Sequence, residues 1–155
     1  MRVADIGAGV GYHALRISPR VGATGKVYAT DLQPEMLELL HAAIGAAGVT
    51  NIEPVLSLDR STGLPDATID LALMVDVYHE LAEPAAFMRD LRRALAPAGR
   101  VALVEFRGED PTVPIKEEHK MTVAQVDAEL AAYGLTRCER HDFLPWQHLL
   151  IYCRD

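Results

Sequence analysis

Near its start the chain reads Val3-Ala4-Asp5-Ile6-Gly7-Ala8-Gly9-Val10-Gly11-Tyr12-His13. The short apolar run predicts a buried strand, and the glycine-rich turn and amphipathic segment after it predict a tight loop and a helix. Glycines let the backbone approach a ligand closely, and a helix start presents free N–H groups to an anionic group. This stretch therefore predicts a ligand site where the first strand ends.

Strand-like and helix-like segments alternate along the rest of the chain. Strands are predicted at 2–6, 26–30, 51–56, 69–75, 100–106, 135–141 and 147–152. Helices are predicted at 12–18, stopped by Pro19, from Pro34 to a cap at Gly48, from Pro84 through Leu95, and from a capping box at Thr122 and Gln125 to Gly134. Alternation predicts parallel strands with crossover helices, whereas the final pair, lacking a helix between them, is predicted to be antiparallel. The length of 155 residues predicts one domain over residues 1–155.

Composition and charge limit the classes of partner. Half of the residues are hydrophobic, 24% are charged, and the net charge is −7, which argues against nucleic acid or an anionic membrane as a partner held by charge. We find no apolar run of membrane-spanning length and no leader pattern, which favours a cytoplasmic protein. Cys138 and Cys153 lack metal-ligand spacing and are expected to be buried, unpaired residues in strands, as suits a reducing compartment.

The glycine spacing discriminates between nucleotide-type ligands. Dinucleotide-binding loops follow G-x-G-x-x-G, but here the sixth position is Tyr12, which counts against NAD. A P-loop is excluded because no Gly-Lys-Ser/Thr follows. Asp31 ends the second strand 20 residues after Gly11, where a carboxylate takes two ribose hydroxyls. Together with Asp5, these features favour a ligand with a ribose and a positive end but no phosphates.

Four segments in order resemble class I S-adenosylmethionine-dependent methyltransferases. Asp5–Gly11 resembles their first motif, Asp31 their ribose-binding acid, Leu64–Asp76 their fourth-strand region, and Leu95–Arg100 their turn into the fifth strand. The resemblance implies a Rossmann-like, doubly wound α/β fold with a mostly parallel seven-stranded sheet and a reversed last strand. It also implies S-adenosyl-L-methionine as the cofactor and a small molecule as the methyl acceptor.

The resemblance assigns candidate cofactor-binding residues. They are Asp5, Gly7, Ala8, Gly9, Gly11, Asp31, Leu32, Asp59 and Asp76. Asp5 is expected near the methionyl end and Asp59 near the adenine amino group. The alternatives are a structural acid bonded to the loop for Asp5, a helix cap for Asp31 and an Asx-turn for Asp59.

Candidate catalytic residues follow the fourth strand. His79 is expected to deprotonate the acceptor or to hold it in line with the sulfonium methyl, and Tyr78 to shape the methyl pocket; the alternatives are a backbone-bonding residue and a core residue. The prolines of base-modifying relatives are absent after Asp76, which argues against DNA methylation. No metal site is predicted, because the histidines show no ligand spacing. Four residues near the fifth strand could contact an anionic acceptor or simply lie on a solvated loop. They are Arg107, Lys116, His119 and Lys120.

Two competing functions remain open. Family members usually carry helices before the first strand that cover the cofactor, whereas Met1 lies two residues before the apolar run, as an internal methionine of a longer protein would. The chain is therefore, alternatively, a shortened S-adenosylmethionine-binding module without turnover. An NAD-type oxidoreductase is disfavoured by Tyr12, and a homodimer is possible.

Overall fold

Strands and helices alternate through the first two thirds of the computed structural model, which describes residues 1–155. The strands are β1 (Arg2–Ile6), β2 (Lys26–Asp31), β3 (Ile52–Leu56), β4 (Ile69–Val75), β5 (Leu95–Arg107), β6 (Lys120–Met121), β7 (Leu135–His141) and β8 (Gln147–Arg154). The helices are α1 (Tyr12–Val21), α2 (Pro34–Ala47), α3 (Pro84–Ala94) and α4 (Val123–Ala131), with short 3-10 helices at Tyr78–Glu80 and Glu117–His119. None of these helices combines the length and the apolar character that crossing a bilayer requires.

One sheet joins all the strands in the order β3-β2-β1-β4-β5-β8-β7. Strands β1 to β5 are parallel, and β8 runs antiparallel to both of its neighbours, β5 and β7. This confirms the predicted mostly parallel α/β sheet with a reversed last strand. An eighth strand, β6, adds two residues beside the end of β5 and is too short to leave a pattern in the sequence. The strand order reverses between β1 and β4, and ligands of such sheets bind in the crevice beyond the carboxyl ends there.

Apolar side chains fill both faces of the sheet. Along β2, Tyr28 belongs to the larger core cluster, whereas its neighbours Val27 and Ala29 belong to the smaller one, because successive strand residues point to opposite faces. The larger cluster lies under α3 and α4, and the smaller lies under α1 and α2, which contributes the fully buried Leu40. The sheet is thus sandwiched by two layers of helices, which hold the carboxyl ends of the central strands in place.

Two predicted helix boundaries are wrong. Helix α1 continues past Pro19 to Val21, because a proline in the last turn removes only one intrahelical hydrogen bond. Leu95 is predicted on the apolar face of α3, but α3 ends at Ala94 and Leu95 begins β5. An apolar side chain can be buried equally well in a helix or in the sheet, so its hydrophobicity does not decide between them.

Of the two predicted caps, one is confirmed and one is formed in part. The cap at Gly48 is confirmed, with φ of 65° and an N–H bond to the Gly45 carbonyl. The Thr122 hydroxyl caps α4 by accepting from the Gln125 amide at 3.1 Å, but the Gln125 side chain donates to Glu129 and leaves the capping box half formed.

The expectation of unpaired, buried cysteines is also wrong. Cys138 and Cys153 form a disulfide, with their Cα atoms 5.9 Å apart, and Cys138 lies on an exposed strand. Cys138 is the extra residue of a bulge between Arg137 and Glu139, whereas the register partner of Cys153 on this strand is Thr136. Sequence spacing does not reveal such a register. The disulfide removes the cysteine-based support for a reducing compartment.

Candidate functional site

The glycine loop, Gly7–Gly11, joins β1 to α1 at the carboxyl edge of the sheet. Gly11 has φ of 94°, and a Cβ there would lie 2.6 Å from a methyl carbon of the fully buried Leu40. Gly9 has φ of 52°, but a Cβ there would meet nothing within 4 Å. Gly11 is therefore required for packing, whereas Gly9 leaves the backbone open toward the neighbouring cavity.

Asp31 connects this loop to the start of α2. Its Oδ2 accepts the Gly9 N–H at 2.9 Å, and its Oδ1 accepts the Gln33 N–H at 2.9 Å. Each carboxylate oxygen has a second lone pair, so these bonds leave capacity for ligand hydroxyls. The cap position of α2 is occupied by Gln33, not by Asp31. The carboxylate thus fixes the loop and still faces the cavity.

A cavity of about 340 Å³ opens between the glycine loop, the end of β2 and the segment after β4. Five of the predicted cofactor residues line it: Gly7, Gly9, Asp31, Leu32 and Asp59. The charged residues in its wall are Asp31, Asp59 and Glu80, and no lysine, arginine or histidine contributes to it. An acidic wall without basic groups disfavours phosphates and suits a cationic ligand.

Sequence analysis missed several wall residues, including Met36, Ser57, Leu81 and Phe87. Ser57 follows β3. Leu81 follows β4 by a few residues, as the predicted catalytic residues do. The signal that would have found both is the general rule that ligands contact the segments after parallel strands. Met36 and Phe87 come from helix starts, which no local pattern marks as ligand-facing.

Asp5 lies below the cavity wall and not on it. The residue is only 2% exposed, its Oδ2 has no hydrogen-bond partner, and burial raises the pKa of its carboxyl to about 7. The Ala14 amide opposes this increase in pKa, and the negative charge of Asp31 adds to it. Ala8 and Gly11 also lie outside the wall, where they close the turn of the loop.

Asp76 ends β4 in a strained backbone conformation. Its φ is 54°, which is uncommon for a residue with a side chain, and its Oδ2 accepts from the Gln147 amide at 3.1 Å. Its Oδ1 is buried without a partner, and burial raises the pKa of the carboxyl despite the Gln147 bond and the nearby His79. Asp76 does not line the cavity.

His79 lies in the 3-10 helix after β4 and is held by a buried acid. Its Nδ1 is 2.6 Å from Glu105 Oε2, and its Nε2 is 3.1 Å from His119 Nδ1. The Glu105 side chain is 1% exposed; burial raises the pKa of its carboxyl, although the hydrogen bond from His79 opposes the change. This pairing was not predicted, because the residues are 26 positions apart on different elements.

Tyr78 belongs to the core and does not line the 340 Å³ cavity, although it lines a smaller neighbouring cavity. It is 2% exposed, and its hydroxyl donates to Glu129 at 2.7 Å. Burial, with the Glu129 hydrogen bond, raises the pKa of the phenol above its ordinary value of 10.0. These contacts anchor Tyr78 in the core, and its role in shaping the methyl pocket stays a prediction.

The basic residues proposed for an anionic acceptor are mostly engaged elsewhere. The Arg107 guanidinium donates to the carbonyls of Asp142, Leu144 and Pro145, which clamps the connection between β7 and β8. The Lys120 ammonium is buried against Glu117 at 2.6 Å, while Lys116 is exposed near Glu118. His119 turns to His79 instead.

Comparisons with known proteins agree with this geometry. A family model described as a methyltransferase domain matches residues 4–103. A protein-L-isoaspartate O-methyltransferase from Methanocella arvoryzae is 31% identical over 113 residues, which are 69% of this chain and 60% of the relative. The ubiquinone/menaquinone biosynthesis C-methyltransferase UbiE of Escherichia fergusonii is 30% identical over 105 residues, or 67% of this chain and 42% of the relative. The chain thus spans about half the length of these relatives.

A solved structure resembles the whole chain. The SAM-dependent methyltransferase from Aquifex aeolicus superposes with a TM-score of 0.93 at 28% identity, covering 100% of this chain and 82% of that one. The superposition therefore includes the residues of every strand of this sheet.

Proposed function

The chain belongs to the methyltransferase domain family, and we propose that it binds S-adenosyl-L-methionine and transfers the methyl group to a small-molecule acceptor. The family and the fold imply this cofactor. The observation that carries the proposal is the acidic cavity beside the glycine loop, where Asp31 and Asp59 line the wall and no basic residue does. A pyrophosphate would be repelled there, whereas a ligand with a sulfonium and an ammonium group would be attracted.

The elements around the cavity fit the parts of the cofactor. Asp31 would take the ribose hydroxyls, with Leu32 beside it, and Asp59 would accept from the adenine amino group. The glycine loop would let the methionyl part pass close to the backbone, near the buried Asp5. These roles are proposals that rest on position in the cavity and on residue chemistry.

His79 is proposed to serve the acceptor side. In methyl transfer the bond from sulfur to the methyl carbon breaks as the bond from the acceptor forms, and the sulfonium is already activated. The protein must therefore orient the acceptor and, where the acceptor carries a proton, remove it. Glu105 fixes the His79 ring through Nδ1, and Nε2, which is 3.1 Å from His119 Nδ1, is the atom that would act on the acceptor.

Calorimetric titration with S-adenosylhomocysteine tests the cofactor proposal. We expect binding by the full chain and a loss of about 1–3 kcal/mol in Asp31→Ala, since polar ligand groups would be left unpaired. The matched control is Asp66→Ala, an exposed acid beside Arg93 and outside the cavity wall, which should bind like the parent chain. Unchanged affinity in Asp31→Ala would remove Asp31 from the site, and binding of NADH in place of S-adenosylhomocysteine would overturn the proposal.

Turnover needs a separate measurement. Incubation with methyl-labelled S-adenosylmethionine and a small-molecule extract should give labelled products below protein size. Binding without any labelled product would instead support the shortened binding module.

A further inference from the structure

We propose that His79, Glu80 and His119 form a binding site for one divalent transition-metal ion, with zinc as its probe. The three side chains come from two short 3-10 helices that face each other after β4 and before β6. One donor atom from each lies within 4.8 Å of the other two. No other group of three such side chains in the structure meets this condition.

The distances between donor atoms suit a first-row metal ion. His79 Nε2 is 3.1 Å from His119 Nδ1 and 3.9 Å from Glu80 Oε1. Two nitrogen ligands of a tetrahedral zinc are about 3.3 Å apart, given bonds of about 2.0–2.1 Å. Two histidines and one glutamate are also the ligand set of zinc sites that keep a position open for water or substrate.

Glu105 supplies the outer support that such a site needs. A carboxylate accepts hydrogen bonds, so Glu105, at 2.6 Å, accepts one from His79 Nδ1–H, and the lone pair of the neutral ring is then on Nε2. Metal-binding histidines are usually oriented by a carboxylate in this way. With the His79 ring neutral, the buried Glu105 carboxylate has no charged partner, so a cation bound at Nε2 would balance its charge.

The position of the site links it to the proposed reaction. Glu80 lines the 340 Å³ cavity, while His79 lines a smaller neighbouring cavity of about 190 Å³. With a metal bound, His79 Nε2 would be a ligand and not a base. The metal would bind an acceptor through an oxygen and lower the pKa of the coordinated hydroxyl, whose proton would leave to solvent. This last step rests on the proposed function, but the metal site itself does not.

Zinc titration of the chelator-treated full chain, without methyl donor, tests the site. We expect one zinc per chain, at least tenfold weaker binding in Glu80→Gln and in His119→Gln, and tenfold to hundredfold weaker binding in Glu105→Gln through loss of ring orientation. The control is His41→Gln, an exposed histidine on α2, which should bind zinc like the parent chain. Cobalt substitution should give the visible absorption of a tetrahedral ion and lose it in His119→Gln.

The alternative is that the two rings are joined by a hydrogen bond alone. In that case zinc would bind equally to the parent chain and to His119→Gln, or below one ion per chain, and the proposal would be overturned. S-Adenosylhomocysteine binding is measured without zinc. Failure of one proposal therefore leaves the other standing.

Discussion

The glycine loop and the histidine cluster (His79, Glu80, Glu105 and His119) lie at the same edge of the sheet but are built differently. The glycine loop and its partner Asp31 come from consecutive elements and are joined through backbone N–H groups. The histidine cluster joins side chains from the ends of β4 and β5 and from a loop 40 residues beyond His79. The proposed cofactor side is therefore built on backbone shape, while the proposed acceptor side is built on contacts between side chains.

The two sides also differ in how they treat buried charge. On the cofactor side Asp5 is buried with an unpartnered oxygen, whereas on the acceptor side Glu105 and the buried His148 each have ionisable partners. The pKa of Asp5 is raised, whereas the pKa values of the two carboxylates beside His148 are lowered, so stability should respond to pH in different directions at these two places. The predictions below test that contrast, beginning with the largest effect.

Replacing Asp5 by asparagine should stabilise the chain at alkaline pH. The folded-state pKa, about 7, is above the ordinary value of 3.8, so the contribution of Asp5 to stability is full below pH 3.8 and lost as pH rises through 7. The difference corresponds to about 4 kcal/mol at most. Urea denaturation should show Asp5→Asn gaining up to that amount at pH 8 and little at pH 4. The exposed Asp66→Asn is the control, and an equal gain at both pH values would contradict the prediction.

The glycine loop should separate packing from ligand access. Gly11→Ala combines a left-handed backbone with overlap against Leu40 and should lower the free energy of unfolding by about 2–4 kcal/mol. Gly9→Ala meets no atoms and should lose about 1 kcal/mol from its backbone alone. Titration should nevertheless find S-adenosylhomocysteine binding at least tenfold weaker in Gly9→Ala, because the added methyl group lies at the cavity wall. Equal unfolding free energies for the two variants would refute the packing role of Gly11.

The smallest effect is expected at His148, which is buried between two carboxylates on the acceptor side. Its Nε2 is 2.7 Å from Glu109 and its Nδ1 is 3.2 Å from Asp142. Burial alone would raise the pKa of Glu109, but hydrogen bonds from His148 and the Val123 amide lower it; His148 lowers the pKa of Asp142 as well.

These lowered pKa values stabilise the fold above the ordinary carboxyl range, and the effect is lost as pH falls through them. His148→Gln should therefore cost about 1 kcal/mol at pH 6, after allowance for the solvent around the carboxylates, and almost nothing near pH 2. Thermal melts against pH would detect this difference. The exposed His141→Gln on the same hairpin should show no such trend, and a cost that persists at pH 2 would rule out the ionic explanation.

The cofactor side could be predicted from sequence to a large extent because its contacts are local. Positive φ at Gly7, Gly9 and Gly11 and the placement of Asp31 follow from a strand, a turn and the next strand. The exception is how deeply a residue is buried. Asp5 is two residues from the loop, yet only the packed structure shows that it lies beneath the cavity wall.

The acceptor side could not be predicted because its contacts depend on register between distant strands. Glu105 meets His79 only because β5 extends beyond β4, and His119 arrives through β6, a strand of two residues. The Cys138–Cys153 bridge likewise joins two strands, and one of its residues lies at a bulge. No window of sequence contains these relations.

Strand β8 is fastened at both ends. Near the site His148 and the Arg107 clamp hold its beginning, and at the opposite edge of the sheet the disulfide holds its end, while β5 and β7 flank it throughout. Such a strand has no free end from which to fray, so its amides should exchange hydrogen only when the whole C-terminal half opens together. The wall behind the histidine cluster would then behave as one cooperative unit.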